Sequence, residues 1–169
     1  CRDAKIELND IVSYLRSPKS YEKMGIKIPK GILFHGPSGV GKTMLARAMA
    51  GEANIDFLYG NGADFNEVYI GVGASRIRSL FKEARAIGKP VIIFIDEIDA
   101  LAPKRSQLVG NHESAVTLNA LLSEMDGFEK SDNIIVIGTT NRVDSLDRAI
   151  LRPGRFDRMI KLELPLLNE

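Results

Sequence analysis

The fold of this chain is decided by the stretch Gly36-Pro37-Ser38-Gly39-Val40-Gly41-Lys42-Thr43. It matches the pattern G-x-x-x-x-G-K-[ST], it follows a short apolar run at 31–35, and it opens a helical stretch at 42–53. Glycines let consecutive backbone N–H groups turn towards an anion, and a helix N-terminus adds partial positive charge. A strand, a glycine-rich turn and a helix in this order predict a loop that binds the phosphates of a nucleotide.

The side chains of this loop have separate expected roles. We expect the Lys42 ammonium to reach the β and γ phosphates and the Thr43 hydroxyl to be a ligand of Mg²⁺. A tight glycine turn followed by an exposed lysine is the alternative, and the strand and helix on either side argue against it. The residues predicted to bind the nucleotide are Gly36, Pro37, Ser38, Gly39, Val40, Gly41, Lys42, Thr43, Met44 and Asp96.

Apolar runs and helical patterns alternate on both sides of the loop. Because buried parallel strands read as unbroken apolar runs, Val91-Ile92-Ile93-Phe94-Ile95 is typical of a strand covered on both faces. The alternation predicts an α/β fold, a five-stranded parallel sheet flanked by helices, with ligands bound beyond the carboxyl ends of the strands. The predicted strands are 31–35, 55–59, 91–95, 134–137 and 158–164, and the predicted helices are 4–16, 42–53, 74–87 and 113–125.

Two acidic residues, Asp96 and Glu97, follow the apolar strand directly. We expect Asp96 to hold Mg²⁺ through water, and Glu97 to take a proton from the attacking water. A solvated acidic loop is the alternative, and the phosphate loop on the same chain argues against it. Asp99, two residues further on, is expected only to cap or solvate the following turn.

Polar residues also end the next strand, where the sequence reads Thr139-Thr140-Asn141. A neutral amide beside the phosphate site can sense the γ-phosphate or orient the attacking water, so Asn141 is a candidate catalytic residue; a structural turn is the alternative. The stretch Asn141-Arg142-Val143-Asp144 resembles the guanine-reading N-K-x-D of GTPases but lacks the lysine. Since the segment 96–99 is not D-x-x-G either, GTP is rejected as the main substrate.

Arg152 and Arg155 lie three residues apart around a Pro-Gly turn, which is expected to project them from the surface. In a monomer they would form a solvated basic turn. In a ring they could reach the γ-phosphate of a neighbouring subunit as trans-acting arginine fingers, which typically contribute about 10³ to 10⁵ in rate.

Composition excludes some partners. The 169 residues are 44% hydrophobic and 27% charged, which suits one soluble domain with a substantial core. A formal net charge of +1 argues against a general binder of nucleic acids or membrane surfaces. The single cysteine, Cys1, allows no internal disulfide, and no apolar run approaches the roughly 18–20 residues that span a bilayer.

Taken together, these motifs resemble the AAA subgroup of the AAA+ ATPases over nearly the whole chain. Three further stretches are similar to the FtsH family of membrane-anchored, hexameric, ATP-driven zinc proteases. These are Gly71-Val72-Gly73-Ala74-Ser75-Arg76-Ile77-Arg78, Leu118-Asn119-Ala120-Leu121-Leu122 and Glu124-Met125-Asp126-Gly127-Phe128.

The resemblance implies a large AAA+ subdomain whose strands, numbered along the chain, lie in the order 5-1-4-3-2. It implies that ATP or ADP with Mg²⁺ is bound and that Arg152 and Arg155 act between subunits. Tyr69-Ile70-Gly71 matches the pore loop that grips unfolded polypeptide, and a second pore loop is expected at 108–112. One departure concerns Glu113-Ser114-Ala115-Val116, which lacks the arginine usual there.

The resemblance also implies a longer parent protein. We expect residues 1–169 to be a soluble fragment, without the helical lid and without the zinc-protease domain, because H-E-x-x-H is absent. The zinc then belongs to the absent domain. The parent is expected to form a homo- or hetero-hexamer that acts on unfolded or membrane proteins. Absent segments are expected to anchor it in a bacterial inner membrane, a mitochondrion or a plastid.

Three alternatives to an ATP-driven protease remain open at this point. The first is an AAA+ chaperone or unfoldase whose protease is inactive. The second is a nucleic-acid motor, although Tyr69-Ile70 favours a protein substrate and we expect no nucleic acid as a partner. The third is a nucleotide-binding scaffold without activity, although every expected catalytic position is filled.

Overall fold

In the part of the chain that the structure describes, five parallel strands form one sheet in the order β2-β3-β4-β1-β5. The computed structural model describes residues 2–25, 29–65, 71–102, 112–127 and 133–163. The strands are β1 (Gly31–His35), β2 (Asp56–Asn61), β3 (Val91–Asp96), β4 (Ile134–Thr140) and β5 (Phe156–Lys161). The helices are α1 (Arg2–Arg16), α2 (Pro18–Lys23), α3 (Lys42–Ala53), α4 (Val72–Ile87) and α5 (His112–Asp126). The predicted fold class and the predicted strand order are confirmed.

Helices cover both faces of the sheet, and this is why its central strands are apolar throughout. On one face, α4 and α5 pack through Ile77, Phe81 and Leu121, all fully buried. On the other face, α1 and α3 pack through residues such as Leu8 and Ala46. Successive residues of a strand point to opposite faces, so each central strand contributes to both cores.

Several element boundaries differ from the predicted ones. β5 begins at Phe156 and ends at Lys161, whereas the sequence predicted 158–164. Phe156 belongs to the strand because it pairs with Gly31 and is 1% exposed, and the register then shifts between Gly31 and Ile32. That irregularity breaks the alternation from which strands are recognised.

The other differences are smaller. β2 runs to Asn61 instead of Tyr59, because Gly60 and Asn61 continue the pairing with β3 despite their low strand propensity. Pro18 ends α1 as expected but begins α2, an unpredicted short helix, since its fixed φ suits a first helical turn.

Because all five strands run in the same direction, their carboxyl ends meet at one edge of the sheet. The loop after β1, the acidic pair at the end of β3 and the polar residues at the end of β4 therefore lie together at this edge, as the sequence predicts.

Candidate active site

The glycine-rich loop joins β1 to α3. Gly41 precedes the helix with a φ of 85°, a left-handed conformation that favours glycine, and it has no side chain with which to cap the helix. The first N–H groups of a helix have no partner within the helix. The loop therefore presents uncapped N–H groups and the positive end of the helix dipole, which together suit a phosphate.

Lys42 is the first residue of α3, and its residue surface is only 8% exposed. Its Nζ donates to the carbonyl oxygens of Gly36 and Pro37, each at 2.8 Å, and to Oδ1 of Asn141 at 2.6 Å. Burial lowers the pKa of Lys42, and the nearby carboxylates of Asp96 and Asp99 oppose that shift. The structure thus brings Lys42 and Asn141, 99 residues apart, into direct contact at the loop.

Asp96 ends β3 and accepts hydrogen bonds at both carboxylate oxygens. The Thr43 hydroxyl donates to Oδ2 at 3.1 Å, and the hydroxyl of Thr139 on β4 donates to Oδ1. Thr43 and Asp96, the two predicted Mg²⁺ residues, therefore lie side by side. Their oxygen atoms are the kind of ligand that Mg²⁺ prefers.

Glu97 follows Asp96 and is exposed at the same edge. Its φ is 51°, an uncommon left-handed conformation for a residue with a side chain. Its backbone N–H donates to Asp96 Oδ1 at 3.1 Å and to Thr139 Oγ1 at 3.2 Å. These contacts hold the backbone where the chain turns away from the sheet.

The prediction for Asp99 was wrong. Its Oδ1 accepts a hydrogen bond of 2.7 Å from the hydroxyl of Thr140 on β4, and Thr140 in turn accepts from the backbone N–H of Arg142. Asp99 therefore links the turn after β3 to the end of β4 and does not merely cap its own turn.

A cleft of about 690 Å³ opens beside the phosphate loop and the end of β4. Its volume falls in the range of small-molecule sites, about 300–1,000 Å³. Its lining residues are His35, Gly36, Pro37, Asn141, Arg142, Val143, Asp144 and Ser145. His35 is half-buried at the end of β1, and burial together with the charge of Lys161 lowers its pKa.

The remaining loop residues are more accessible. Met44, the third residue of α3, is 74% exposed. Pro37, Ser38 and Gly39 are exposed, and Val40 is half-buried.

Arg152 and Arg155 differ from each other, and this corrects the prediction that both project from the surface. Arg152 is exposed, whereas the side chain of Arg155 is only 16% exposed. Arg155 donates through Nε and Nη2 to the two oxygens of Asp126, at 3.0 and 2.9 Å, and through Nη1 to Ala149 O at 2.7 Å. A bidentate ion pair of this geometry lowers the pKa of Asp126 and raises that of Arg155.

Tyr69 and Ile70 of the predicted pore loop lie outside the described residues. The segment 108–111 of the predicted second pore loop lies outside them as well. Gly71 is described, and it precedes α4 with a φ of 88°.

Two residues of this region had no predicted role. Thr139 was part of the polar strand end, but only its contact with Asp96 reveals what its hydroxyl does. Asp126 was part of the Met-Asp-Gly-Phe stretch, and nothing local in the sequence identifies Arg155 as its partner.

Comparison with known proteins places these features in a family. Residues 32–164 match the family described as "ATPase family associated with various cellular activities (AAA)". The ATP-dependent zinc metalloprotease FtsH 1 of Phytoplasma mali is 53% identical over 165 residues, which are 96% of this chain and 27% of that protein. FtsH of Thermus thermophilus is 54% identical over 165 residues, 96% of this chain and 26% of that protein.

A eukaryotic relative is similar to the same extent. The mitochondrial inner membrane i-AAA protease supercomplex subunit YME1 of Saccharomyces cerevisiae is 52% identical over 165 residues, 98% of this chain and 22% of that protein. The chain thus spans about a quarter of the length of these relatives.

Two observations concern the described parts of the chain alone. Within them, no helix has the length and apolar character needed to cross a membrane. Nor do the ranges given above bring three His, Cys, Asp or Glu side chains together in a way that could hold a metal ion.

Because the AAA match covers most of the chain and the FtsH proteins resemble it almost from end to end, the chain belongs to the AAA family of ATPases, as an AAA domain of the FtsH type.

Proposed function

We propose that this chain binds Mg-ATP and hydrolyses its terminal phosphate bond at the carboxyl edge of the sheet. One observation carries the proposal: the Lys42 ammonium and the Thr43–Asp96 pair lie together where the glycine-rich loop enters α3, and Glu97 follows Asp96, to which its backbone N–H donates. Phosphoryl transfer depends mainly on positioning and on charge stabilisation, and these groups supply both.

The Mg²⁺ site consists of Thr43 and Asp96. Their oxygens lie 3.1 Å apart, and both are hard ligands suited to the ion. Mg²⁺ held there would supply positive charge that offsets the negative charge developing on the phosphates. Thr43 on α3 and Asp96 on β3 would supply its protein ligands from two different elements.

Glu97 is the general base of the proposed reaction. It takes a proton from the water that attacks the γ-phosphate, while the Asn141 amide, which contacts Lys42, orients that water. The Lys42 ammonium offsets the negative charge that develops on the phosphate oxygens. Ser38 to Lys42 bind the phosphates through backbone N–H groups, whereas Pro37 has none and that of Gly36 donates to the carbonyl oxygen of Thr140. Met44 lies beyond them at the start of α3.

The experiment for this proposal is the substitution Glu97→Gln. It keeps the size of the side chain and removes its basicity. ATP binding should stay within about twofold, while turnover should fall by roughly 10² to 10⁴, the usual contribution of a general base. Glu83→Gln on the exposed side of α4 is the matched control. Undiminished turnover in the Glu97 variant would mean that another group accepts the proton.

The wider function rests on the relatives. We infer that residues 1–169 are the large AAA+ subdomain of a longer protein, which also carries a helical lid and a zinc-protease domain. That protein would assemble as a hexamer, homo- or hetero-oligomeric, and pull unfolded or membrane proteins through its central channel. The relatives' names, which identify a zinc metalloprotease and a subunit of an inner-membrane protease, support this inference.

Two residues outside the described ranges have a proposed role in that motor. Tyr69 and Ile70, with Gly71, would grip the polypeptide, because an aromatic side chain offers a large contact area.

Arg152 and Arg155 would act on the nucleotide of a neighbouring subunit. Arg155 first has to leave Asp126 for this.

A partner assay separates this motor from its alternatives. ATP turnover of the parent protein should rise when an unfolded protein is added and should not respond to DNA. Stimulation by DNA alone would instead indicate a nucleic-acid motor. Degradation of the unfolded protein that a zinc chelator blocks would distinguish an active protease from a chaperone.

The parent protein is proposed to be anchored in a membrane, either a bacterial inner membrane or a membrane of a mitochondrion or a plastid.

A further inference from the structure

Thr139 is buried at the end of β4, with 1% of its surface exposed. Its hydroxyl takes part in two hydrogen bonds. It donates to Oδ1 of Asp96, and it accepts from the backbone N–H of Glu97 at 3.2 Å. A single hydroxyl therefore contacts both residues of the acidic pair.

The first of these contacts limits the rotation of the Asp96 carboxylate. The last torsion of an aspartate is broad and has no sharp staggered minimum. Here Thr139 holds one oxygen from β4, and Thr43 holds the other from α3 at 3.1 Å. With both oxygens engaged by different elements, the plane of the carboxylate is defined by the fold.

The second contact acts on the backbone of Glu97. The φ of this residue is 51°, a left-handed conformation that is unfavourable for a residue with a side chain. The N–H of Glu97 is shared between Thr139 Oγ1 and Asp96 Oδ1. These bonds offset the cost and determine the point from which the Glu97 side chain extends.

The neighbouring threonine serves a different purpose. Thr140 is equally buried, but its hydroxyl donates to Asp99 and accepts from the N–H of Arg142. Adjacent residues of a strand point to opposite faces, so the two hydroxyls bond different partners. Thr140 is therefore a matched comparison for Thr139, with the same side chain, burial and number of hydrogen bonds.

We propose that Thr139 is a positioning residue for the ATPase reaction, whose hydroxyl sets both the Mg²⁺-binding geometry of Asp96 and the placement of Glu97. The proposal rests on the proposed function of these two residues. Thr139 itself need not touch the nucleotide. Its effect is expected in the Mg²⁺ dependence of nucleotide binding and in turnover, and not in binding without metal.

The test compares Thr139→Val, Thr139→Ser and Thr140→Val in the complete chain. The affinity for a fluorescent ATP analogue is measured with excess chelator and with saturating Mg²⁺, alongside Tm and turnover. For Thr139→Val we expect unchanged affinity in chelator. The gain in affinity on adding Mg²⁺ should shrink about tenfold, the equivalent of about one lost hydrogen bond to a charged group.

Three further variants make that result specific. Thr139→Ser keeps the hydroxyl and should restore the Mg²⁺-dependent gain to within about twofold of the wild type. Thr140→Val should lower Tm as Thr139→Val does, yet keep the gain. Thr139→Ala, which lacks the hydroxyl and adds no bulk, has to reproduce the loss even if the valine variant does not fold.

The proposal is overturned if Thr139→Val or Thr139→Ala lowers Tm but leaves both the Mg²⁺-dependent gain and turnover at the wild-type level. The hydroxyl would then be only structural. Failure of the proposed function looks different: the wild type itself would show no Mg²⁺-dependent gain, or Glu97→Gln would retain its turnover.

Discussion

Lys42 is positively charged, yet the residue is almost fully buried. Two backbone carbonyls and the Asn141 amide oxygen accept its hydrogen bonds, so the ammonium is held beside the loop that we propose to bind phosphate. Burial of the side chain lowers its pKa, which means that the folded site already opposes the charged form. A phosphate anion would favour that charged form.

Lys42→Ala should weaken nucleotide binding by roughly 100-fold or more, because hydrogen bonds to charged groups contribute about 1.5–3 kcal/mol each. Titration of a fluorescent ADP analogue measures this. Lys82→Ala on the exposed face of α4 removes the same charge elsewhere and should leave the affinity unchanged. Intact affinity in the Lys42 variant would remove the phosphate-loop assignment.

Asp126 and Arg155 form the second informative pair at this scale. The pKa of Asp126 lies below its ordinary value of 3.8, first because Arg155 donates to it and also because of the charge of Arg155. A lowered carboxylate pKa contributes stability that is present above pH 3.8 and is lost as the pH falls through the pKa of the folded state.

Asp126→Asn should therefore lower the free energy of unfolding at neutral pH, and the difference from the wild type should disappear in acid, below the ordinary pKa of the carboxyl group. Since Asp126 is 53% exposed, we expect no more than about 1 kcal/mol. Denaturant unfolding across the acid range measures it. In an Arg155→Ala background the same substitution should have almost no effect; a persistent effect would assign the stabilisation to another contact.

At the scale of elements, the contact between α4 and α5 depends on a glycine. A Cβ on Gly73 would lie 1.9 Å from the carbonyl oxygen of Phe65 and 2.7 Å from the Thr117 hydroxyl. The first of these atoms belongs to the backbone, so it cannot move away without distorting the chain at Phe65. Gly73 thus lets the start of α4 approach the backbone before it and the side of α5.

Gly73→Ala should destabilise the chain by about 1–3 kcal/mol through overpacking. Alanine normally favours a helix over glycine, by up to about 1 kcal/mol. Gly51→Ala in α3 is the matched control, because a Cβ added there would meet none of the described residues outside its own stretch of helix within 4 Å, and it should stabilise slightly. The free energy of unfolding distinguishes the two. Equal stabilisation by both substitutions would contradict the close contact.

At the scale of the whole molecule, the two arginines after β4 are held differently. Arg152 is exposed, while Arg155 is bound to Asp126 and to the carbonyl of Ala149. In the proposed ring these side chains act on the nucleotide of the neighbouring subunit. Each site would then need groups from two chains.

Mixing subunits of the full-length parent tests this arrangement. Subunits with Arg155→Ala and subunits with Lys42→Ala should each lose most activity, by about 10³ to 10⁵ for a missing finger. Their mixture should regain part of it, since intact Lys42 of one subunit meets intact Arg155 of the other. Asp126→Ala subunits control for the lost ion pair. A mixture as inactive as its components would exclude the trans arrangement.

Much of this molecule could be predicted from the sequence because the deciding signals are local. The phosphate loop, the apolar β3 and the acidic pair are each contiguous, and a parallel sheet brings their ends to one edge. The strand order came from resemblance to a family, and the sheet confirms it. The assignment of Lys42, Asp96 and Glu97 to one site needed no distance measurement.

Tertiary structure alone decided which side chains meet across elements. Thr139 and Asp96 are 43 residues apart, and Arg155 and Asp126 are 29 apart. No periodicity links such pairs, because a hydrogen bond between elements depends on strand register and helix placement. The start of β5 at Phe156 was likewise hidden by its irregular pairing with β1. Local sequence patterns therefore predict the strands, the helices and the residues of the proposed phosphate site, because each pattern is contiguous. Packing between elements orients the charged side chains, because their partners come from distant parts of the chain.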